Sequence, residues 1–250
     1  MLFLRPLLAV FLFFCVDGCS VQRPAPAGAG AAGVSFLALG DSYTIGEGAA
    51  EAARWPVQLA ALARQQGLAL KPLAIIARTS WTTAELQTAI AEAHNRNTYG
   101  LVALLIGVNN QYRGQPLGQY RTEFRALLAT AVGFAAGQPG RVVVLSVPDW
   151  GQSPFAGRQG RDPARIGAEI DRLNAVAQDE CRRAGIAYVD IAPLTRAAGG
   201  DATQFARDGL HYAGPQLRQW AQLVLPVVRP LLRPRSGHDA LPSPGTLKAD

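Results

Sequence analysis

The sequence is poor in cysteine and histidine and has no concentrated charge. Its three cysteines are Cys15, Cys19 and Cys181, and the first two lie in the amino-terminal segment. The body of the chain therefore holds Cys181 alone, which excludes a disulfide framework within it, and no CxxC-type metal spacing exists. Cys181 falls in an expected helix, where it reads as a buried small hydrophobe. The net charge is +6, from 24 Lys and Arg against 18 Asp and Glu, with arginine dominating. No block of consecutive basic residues occurs and no aromatic ladder interleaves with them, so a nucleic-acid surface is not expected. No internal repeat is visible. The apolar run near the amino terminus is about ten residues long, short of the roughly 20 that a membrane-spanning helix needs.

That run has another use. One early arginine, Arg5, precedes Leu7 to Val16, which is the shape of a secretory signal. Val16-Asp17-Gly18-Cys19 resembles a bacterial lipoprotein box, in which Cys19 becomes the lipidated first residue. Gly18 fits that pattern and Asp17 does not. Cleavage near Ala25-Pro26-Ala27 and an uncleaved anchor are the alternatives. The expected organisation is a signal peptide over 1–19 and a flexible Pro/Gly/Ala linker over 20–33. One folded domain over 34–232 and a disordered tail over 233–250 follow. Either export reading places the protein in the bacterial cell envelope, lipid-anchored or periplasmic. Membrane association is then expected only through the amino-terminal lipid.

From Val34 onward, strand and helix patterns alternate. Apolar runs at Val34–Leu39, Leu70–Ile76, Leu101–Ile106, Arg141–Val147 and Ile186–Ile191 read as strands. Helices are expected from Trp55 to about Gly67, from a capping box at Thr82 and Glu85 to about Asn95, and over Leu117–Ala135. Two more are expected, from Asp162-Pro163 to Ala184 and over Pro215–Val228, the last stopped by Pro230 and Pro234. Five strands separated by helices imply an α/β domain with a five-stranded parallel sheet, right-handed crossovers and helices on both faces, a three-layer α/β/α arrangement.

Four short motifs follow strands or precede the last helix. They are Gly40-Asp41-Ser42, Arg78-Thr79-Ser80-Trp81-Thr82-Thr83, Gly107-Val108-Asn109-Asn110 and Asp208-Gly209-Leu210-His211. The rim at the carboxyl ends of parallel strands is where ligands bind in such sheets. A serine there is a weak nucleophile until a base removes its proton. Histidine suits that task, because its unperturbed pKa of about 6.5 lies near working pH. A carboxylate on the other ring nitrogen fixes the tautomer and stabilises the imidazolium. Each motif alone is weak evidence, and Asp208 and His211 by themselves also read as a solvated loop pair.

Taken in this order, the four motifs resemble those of the SGNH (GDSL-type) serine hydrolases, over about Val34 to Val228. The resemblance implies a flavodoxin-like sheet and hydrolysis of carboxyl esters through an acyl-enzyme intermediate. It implies Ser42 as nucleophile, His211 as base and Asp208 as the acid that orients it. The oxyanion hole would take the backbone N–H groups of Ser42 and Ser80 and the side-chain amide of Asn109. No metal and no organic cofactor are implied. Ser80 stands where the family has glycine, Asn110 where many members have aspartate, Tyr43 where the family name has leucine, and Tyr212 where proline is frequent after the histidine. Ser146 to Gly151 also looks like a subgroup of exported bacterial members.

Other residues keep two readings. Asp190 ends a strand and competes with Asp208 as the acid. Asp41 reads as a brace for the Ser42 loop. Trp81, Trp150 and Phe155 read either as the wall of an acyl or aryl pocket or as loop cores. Arg113, Arg158 and Arg161 read as solvated charge or as a reception for an anionic group. His94 and His238 read as bystanders. The expected partner is a small-molecule, lipid or glycan ester, with the monomer favoured. An envelope glycan O-deacetylase or acyltransferase on the same fold is the alternative, and a non-catalytic envelope binding protein the more distant one.

Overall fold

The computed structural model describes residues 33–232. The expected signal peptide with Cys19, most of the linker and the tail lie outside the described residues. Among the described residues, no helix is long and apolar enough to cross a membrane.

Five strands form one parallel sheet in the order β2-β1-β3-β4-β5. They are β1 (Val34–Gly40), β2 (Leu70–Ala77), β3 (Leu101–Leu105), β4 (Val142–Leu145) and β5 (Ala187–Val189). Strands β3 and β4 are buried along their whole length, as continuous apolar runs covered on both faces must be. The edge strand β2 carries Pro72, which an edge tolerates because one side of it makes no ladder. The last two strands are shorter than the apolar runs of the sequence. Val147, Asp190 and Ile191 have left the ladder to build the loops beyond it, while the Ser146 N–H still donates to the Val189 carbonyl at 2.9 Å.

The helices are α1 (Ser42–Ile45), α2 (Trp55–Gln65), α3 (Thr83–Glu92), α4 (Val108–Tyr112), α5 (Leu117–Phe134), α6 (Pro154–Arg158), α7 (Pro163–Ala184), α8 (Ala192–Ala197) and α9 (Gly214–Leu232). The capping box of α3 forms as expected, with Thr82 and Glu85 reciprocally bonded to each other's backbone N–H. Asp162 caps α7 through the N–H of Ala164, and Gly185 ends it in the left-handed conformation. The buried stripe of α7 is Ile166, Ile170, Leu173, Ala177 and Cys181, at helical spacing. Burial pushes the Cys181 thiol up to about 12, so it is inert. Helix α2 packs on α9, and α5 packs between α3 and α7.

Two expectations on helices are corrected. The short helices α1, α4, α6 and α8 carry too few turns to leave a periodic pattern in the sequence. The last helix, expected over Pro215–Val228 and so already through Pro226, is not stopped by Pro230 and continues to Leu232. Both prolines lie on the exposed side, opposite Trp220, Val224 and Val228. The backbone carbonyls they leave without partners can reach water there, and the buried face holds the helix together.

Candidate active site

The site is assembled by strand register. Gly40, at the end of β1, pairs with Ala77 of β2 on one side and Leu105 of β3 on the other. The three strands therefore end at one level, and their following loops emerge side by side. Those connections carry Ser42 at the start of α1, Ser80 in the turn before α3, and Asn109 in α4. Glycine is required at position 40, since an added Cβ would lie 2.2 Å from Thr44 Oγ1 and 2.3 Å from the Leu105 carbonyl oxygen.

Asp41 caps α1, its Oδ1 accepting the N–H of Tyr43 at 3.0 Å. Ser42 is the first residue of that helix, where a backbone N–H has no intrahelical acceptor. Its side chain is buried, with 4% of the residue exposed. Asp41 is wholly buried, and its Oδ2 has no partner. Burial pushes its carboxyl up to about 7 against the opposing pull of the Tyr43 N–H. Asp41 thus braces the Ser42 loop, at an electrostatic cost.

Ser80 adopts φ +71°, the left-handed region. This is the physical reason a glycine suits the position, since a Cβ is disfavoured there. The Ser80 side chain is exposed, so its hydroxymethyl group points to no packed neighbour that it would crowd. Its carbonyl accepts Arg113 Nη2 at 2.6 Å, and Arg113 also pairs with Glu85 at 3.2 Å. Thr79 donates to Glu47 at 2.5 Å and ties the same turn to the loop after α1. The Ser80 N–H makes no turn or loop hydrogen bond to another backbone group.

Asn109 donates one amide hydrogen to the Trp81 carbonyl at 2.9 Å, which leaves the second for a ligand. Its neighbour Asn110 is fully buried and bonds to both the N–H and the hydroxyl of Thr83, at 3.2 and 2.6 Å, and to Gln115. Asn110 therefore locks α4 to the start of α3 and so positions Asn109. A neutral amide can both donate and accept in this network, which an ionised aspartate could not.

His211 arrives from the opposite side, on the segment before α9. Its Nδ1 lies 2.5 Å from Asp208 Oδ2, while Asp208 Oδ1 accepts the N–H groups of Leu210 and His211 at 2.9 and 3.0 Å. Partial burial raises the Asp208 carboxyl, but the hydrogen bonds from the His211 ring and the two N–H groups outweigh it and hold it below its usual range. Asp190, the other carboxylate considered, accepts from the Ser146 hydroxyl at 2.9 Å and the Ala192 N–H at 3.0 Å instead.

Ser42, Ser80, Asn109 and His211 line one cleft of about 260 Å³. Its apolar wall is Val108, Trp150, Phe155 and Leu210, with Tyr43 and Tyr112. Trp81, expected as a possible wall, is not among the lining residues; its side chain packs against the core. No hydrogen bond joins Ser42 Oγ to His211. Such contacts are often long before substrate binds.

Sequence reasoning missed the support of the His211 loop. Tyr212 is buried among Tyr43, Phe205 and Trp220, with ring centroids 5.1 to 5.7 Å away, and donates its hydroxyl to the Asp149 carbonyl at 3.0 Å. The Asp149 carboxylate in turn holds Arg196 at 2.8 Å and the Gly151 N–H at 2.8 Å. Tyr212 in place of the usual proline was the available signal. The three arginines are committed within the chain. Arg113 is bound as above, Arg158 donates to the Asp208 carbonyl, and Arg161 lies 5.2 Å over the Tyr112 ring and 5.9 Å over that of Trp150.

A parallel sheet whose strand ends bring a serine hydroxyl and an imidazole paired to a carboxylate to one small cleft is an arrangement that can cleave esters. Residues 38–213 match the family model of the GDSL-like lipase/acylhydrolases, well over half the chain, and the chain belongs to that family. It is an ester hydrolase. No curated protein sequence matches it significantly. Among solved structures, it is similar to TesA at 18% identity and TM-score 0.62, covering 79% of this chain and 99% of that one. It is similar to the lipase/acylhydrolase from Enterococcus faecalis at 18% identity and TM-score 0.60, covering 81% and 99%. It is also similar to Axe2, an acetylxylan esterase from Geobacillus stearothermophilus, at 15% identity and TM-score 0.61, covering 78% and 94%. At these identities the likeness establishes the fold.

Proposed function

We propose that the chain hydrolyses carboxyl esters of short acyl groups, with Ser42 as nucleophile, His211 as general base and Asp208 as the group that orients it. The observation that carries this reading is the single cleft shared by Ser42, Ser80, Asn109 and His211, with Asp208 2.5 Å behind the imidazole. Ser42 Oγ attacks the ester carbonyl carbon as its proton passes to His211 Nε2. The oxyanion is met by the N–H groups of Ser42 and Ser80 and the second amide hydrogen of Asn109. Collapse breaks the bond to the alcohol oxygen, which leaves with the proton from His211. Water then attacks the acyl-serine, gives its proton to His211, and collapse releases the acid and restores Ser42. The small volume and apolar wall of the cleft favour a short acyl chain.

Ser42→Ala tests the assignment. Hydrolysis of 4-nitrophenyl acetate is expected to fall by roughly 10⁶-fold in kcat, and a fluorophosphonate probe should label the wild type at Ser42 alone. Labelling of another serine, or unchanged hydrolysis by the variant, sinks the assignment.

The proposed place of action is the bacterial cell envelope, from the secretory pattern of residues 1–19. Radiolabelled palmitate is expected to enter the expressed protein and to be lost in Cys19→Ala; label persisting in the variant argues against that anchor.

A further inference from the structure

Beside the catalytic cleft lies a second, larger depression, a groove of about 660 Å³. Its walls come from α4, the segment after it, and the first half of α7. Tyr112 lines both cavities, so the groove begins where the cleft ends. The two have opposite character. The cleft wall is largely aromatic and aliphatic. The groove presents three guanidinium groups, Arg161, Arg165 and Arg172, against two carboxylates, Asp162 and Glu169.

The two are also tied together. The Trp150 indole N–H, from the cleft wall, donates to Gln111 Oε1 at 2.8 Å. Gln111 Nε2 donates to Glu169 Oε2 at 2.7 Å, and Arg165 Nε to Glu169 Oε1 at 3.0 Å. These donors hold the Glu169 carboxyl below its usual range, Arg165 most and Gln111 next, so it faces the groove as a fixed acceptor. Arg172 makes no ion pair among the described residues. Tyr112 remains 47% exposed although Arg161 stacks over its ring.

We propose that this groove is a carbohydrate subsite that holds the alcohol half of the ester, so that the substrate is an O-acylated oligosaccharide or polysaccharide. This rests on the serine hydrolase reading of the cleft and extends it. The acyl half of a simple ester is hydrocarbon and matches the apolar cleft. The half that leaves with the hydroxyl oxygen must then occupy the polar groove. Closely mixed acceptors and donors suit a ligand whose every hydroxyl both donates and accepts. The two carboxylates offset two of the three guanidiniums, which leaves a single excess positive charge and no cluster of unpaired cations for a polyanion, and the polar lining disfavours a second lipid chain. An exposed aromatic ring at the junction offers a face to the apolar side of a sugar ring.

The test compares the wild type with Tyr112→Ala and Arg172→Ala on 4-nitrophenyl acetate, glucose pentaacetate and partially O-acetylated xylo-oligosaccharides. The wild type is expected to deacetylate the oligosaccharides. Both variants should lose about tenfold more in kcat/KM on the oligosaccharides than on the aryl ester, chiefly through KM, as removal of uniform binding requires. Equal losses on the two substrate types overturn the groove assignment. So does a wild type that cleaves the aryl ester and neither carbohydrate ester. If the wild type cleaves no ester at all, it is the serine hydrolase reading that fails, and the groove is judged by calorimetric titration of xylo-oligosaccharide into the Ser42→Ala chain. Binding there that Arg172→Ala abolishes supports the subsite; absence of binding overturns it.

Discussion

The two sides of the cleft are built by different means. The Ser42, Ser80 and Asn109 side is an extension of the sheet: three neighbouring strands end in register, and three short turns follow. The His211 side stands off the sheet and is held by side chains far apart in sequence. Tyr212 packs among three aromatic rings and bonds to Asp149, which is anchored in turn by Arg196. A register in a buried sheet is costly to shift, because moving one strand by a residue turns its core face outward. A loop held by a few side-chain contacts opens at much lower cost. Under the proposed mechanism the transition-state donors would sit on the rigid side and the adjustable proton carrier on the other.

That comparison can be broken or sharpened by substitution. The largest effect is expected on the rigid side. Asn109→Ala should lower kcat by about 10²- to 10³-fold, or about 2.7–4 kcal/mol of transition-state stabilisation, with the melting temperature nearly unchanged. A comparable loss of stability would mean that Asn109 is a structural turn residue instead.

Next comes the cost stored under Ser42. Burial pushes the folded carboxyl of Asp41 up to about 7, well above the ordinary aspartate value of about 3.9. Between those two values the folded chain binds a proton that the unfolded chain has released. Stability is therefore lost as pH rises from about 4 to about 7, on the order of 3 kcal/mol. Asp41→Asn keeps an acceptor for the Tyr43 N–H and removes the titration. Denaturant unfolding at pH 5 and pH 8 should show the wild type losing stability relative to this variant; parallel behaviour at the two values would show that Asp41 is ionised and paired in solution.

The smallest effect is expected on the histidine side. Tyr212→Phe keeps the aromatic packing and removes the hydrogen bond to Asp149, at about 0.5–1.5 kcal/mol of stability. If the His211 loop is the adjustable part, amide exchange should quicken over residues 205–213 and stay unchanged over residues 40–45. Equal quickening in both segments would erase the distinction between the two sides.

Much of the fold was legible because its carriers are local. Apolar runs of strand length, the Thr82–Glu85 capping box and the Asp162 and Gly185 boundaries of α7 each act within a few residues. The four short helices were not legible, since one turn leaves no period to read. The continuation of α9 past Pro230 was hidden too, because it depends on which face is buried. At the candidate site, the residue types and their order could be read. The left-handed backbone of Ser80, the clamp of Asn110 on Thr83 and the internal commitments of Arg113, Arg158 and Arg161 could not.

The sequence by itself determined the alternation that makes a parallel sheet, and the presence of a serine, an asparagine and an Asp–His pair at its connections. Short-range preference and apolar periodicity are enough for that. Tertiary structure alone decided that Gly40 lies level with Ala77 and Leu105, so that three separate loops face one point. It also decided that Asp208 and not Asp190 touches His211, and that a polar groove opens beside the apolar cleft at Tyr112. Each of these depends on which strands pair and which loops meet, and residues distant along the chain are brought together only when the core that joins them is packed.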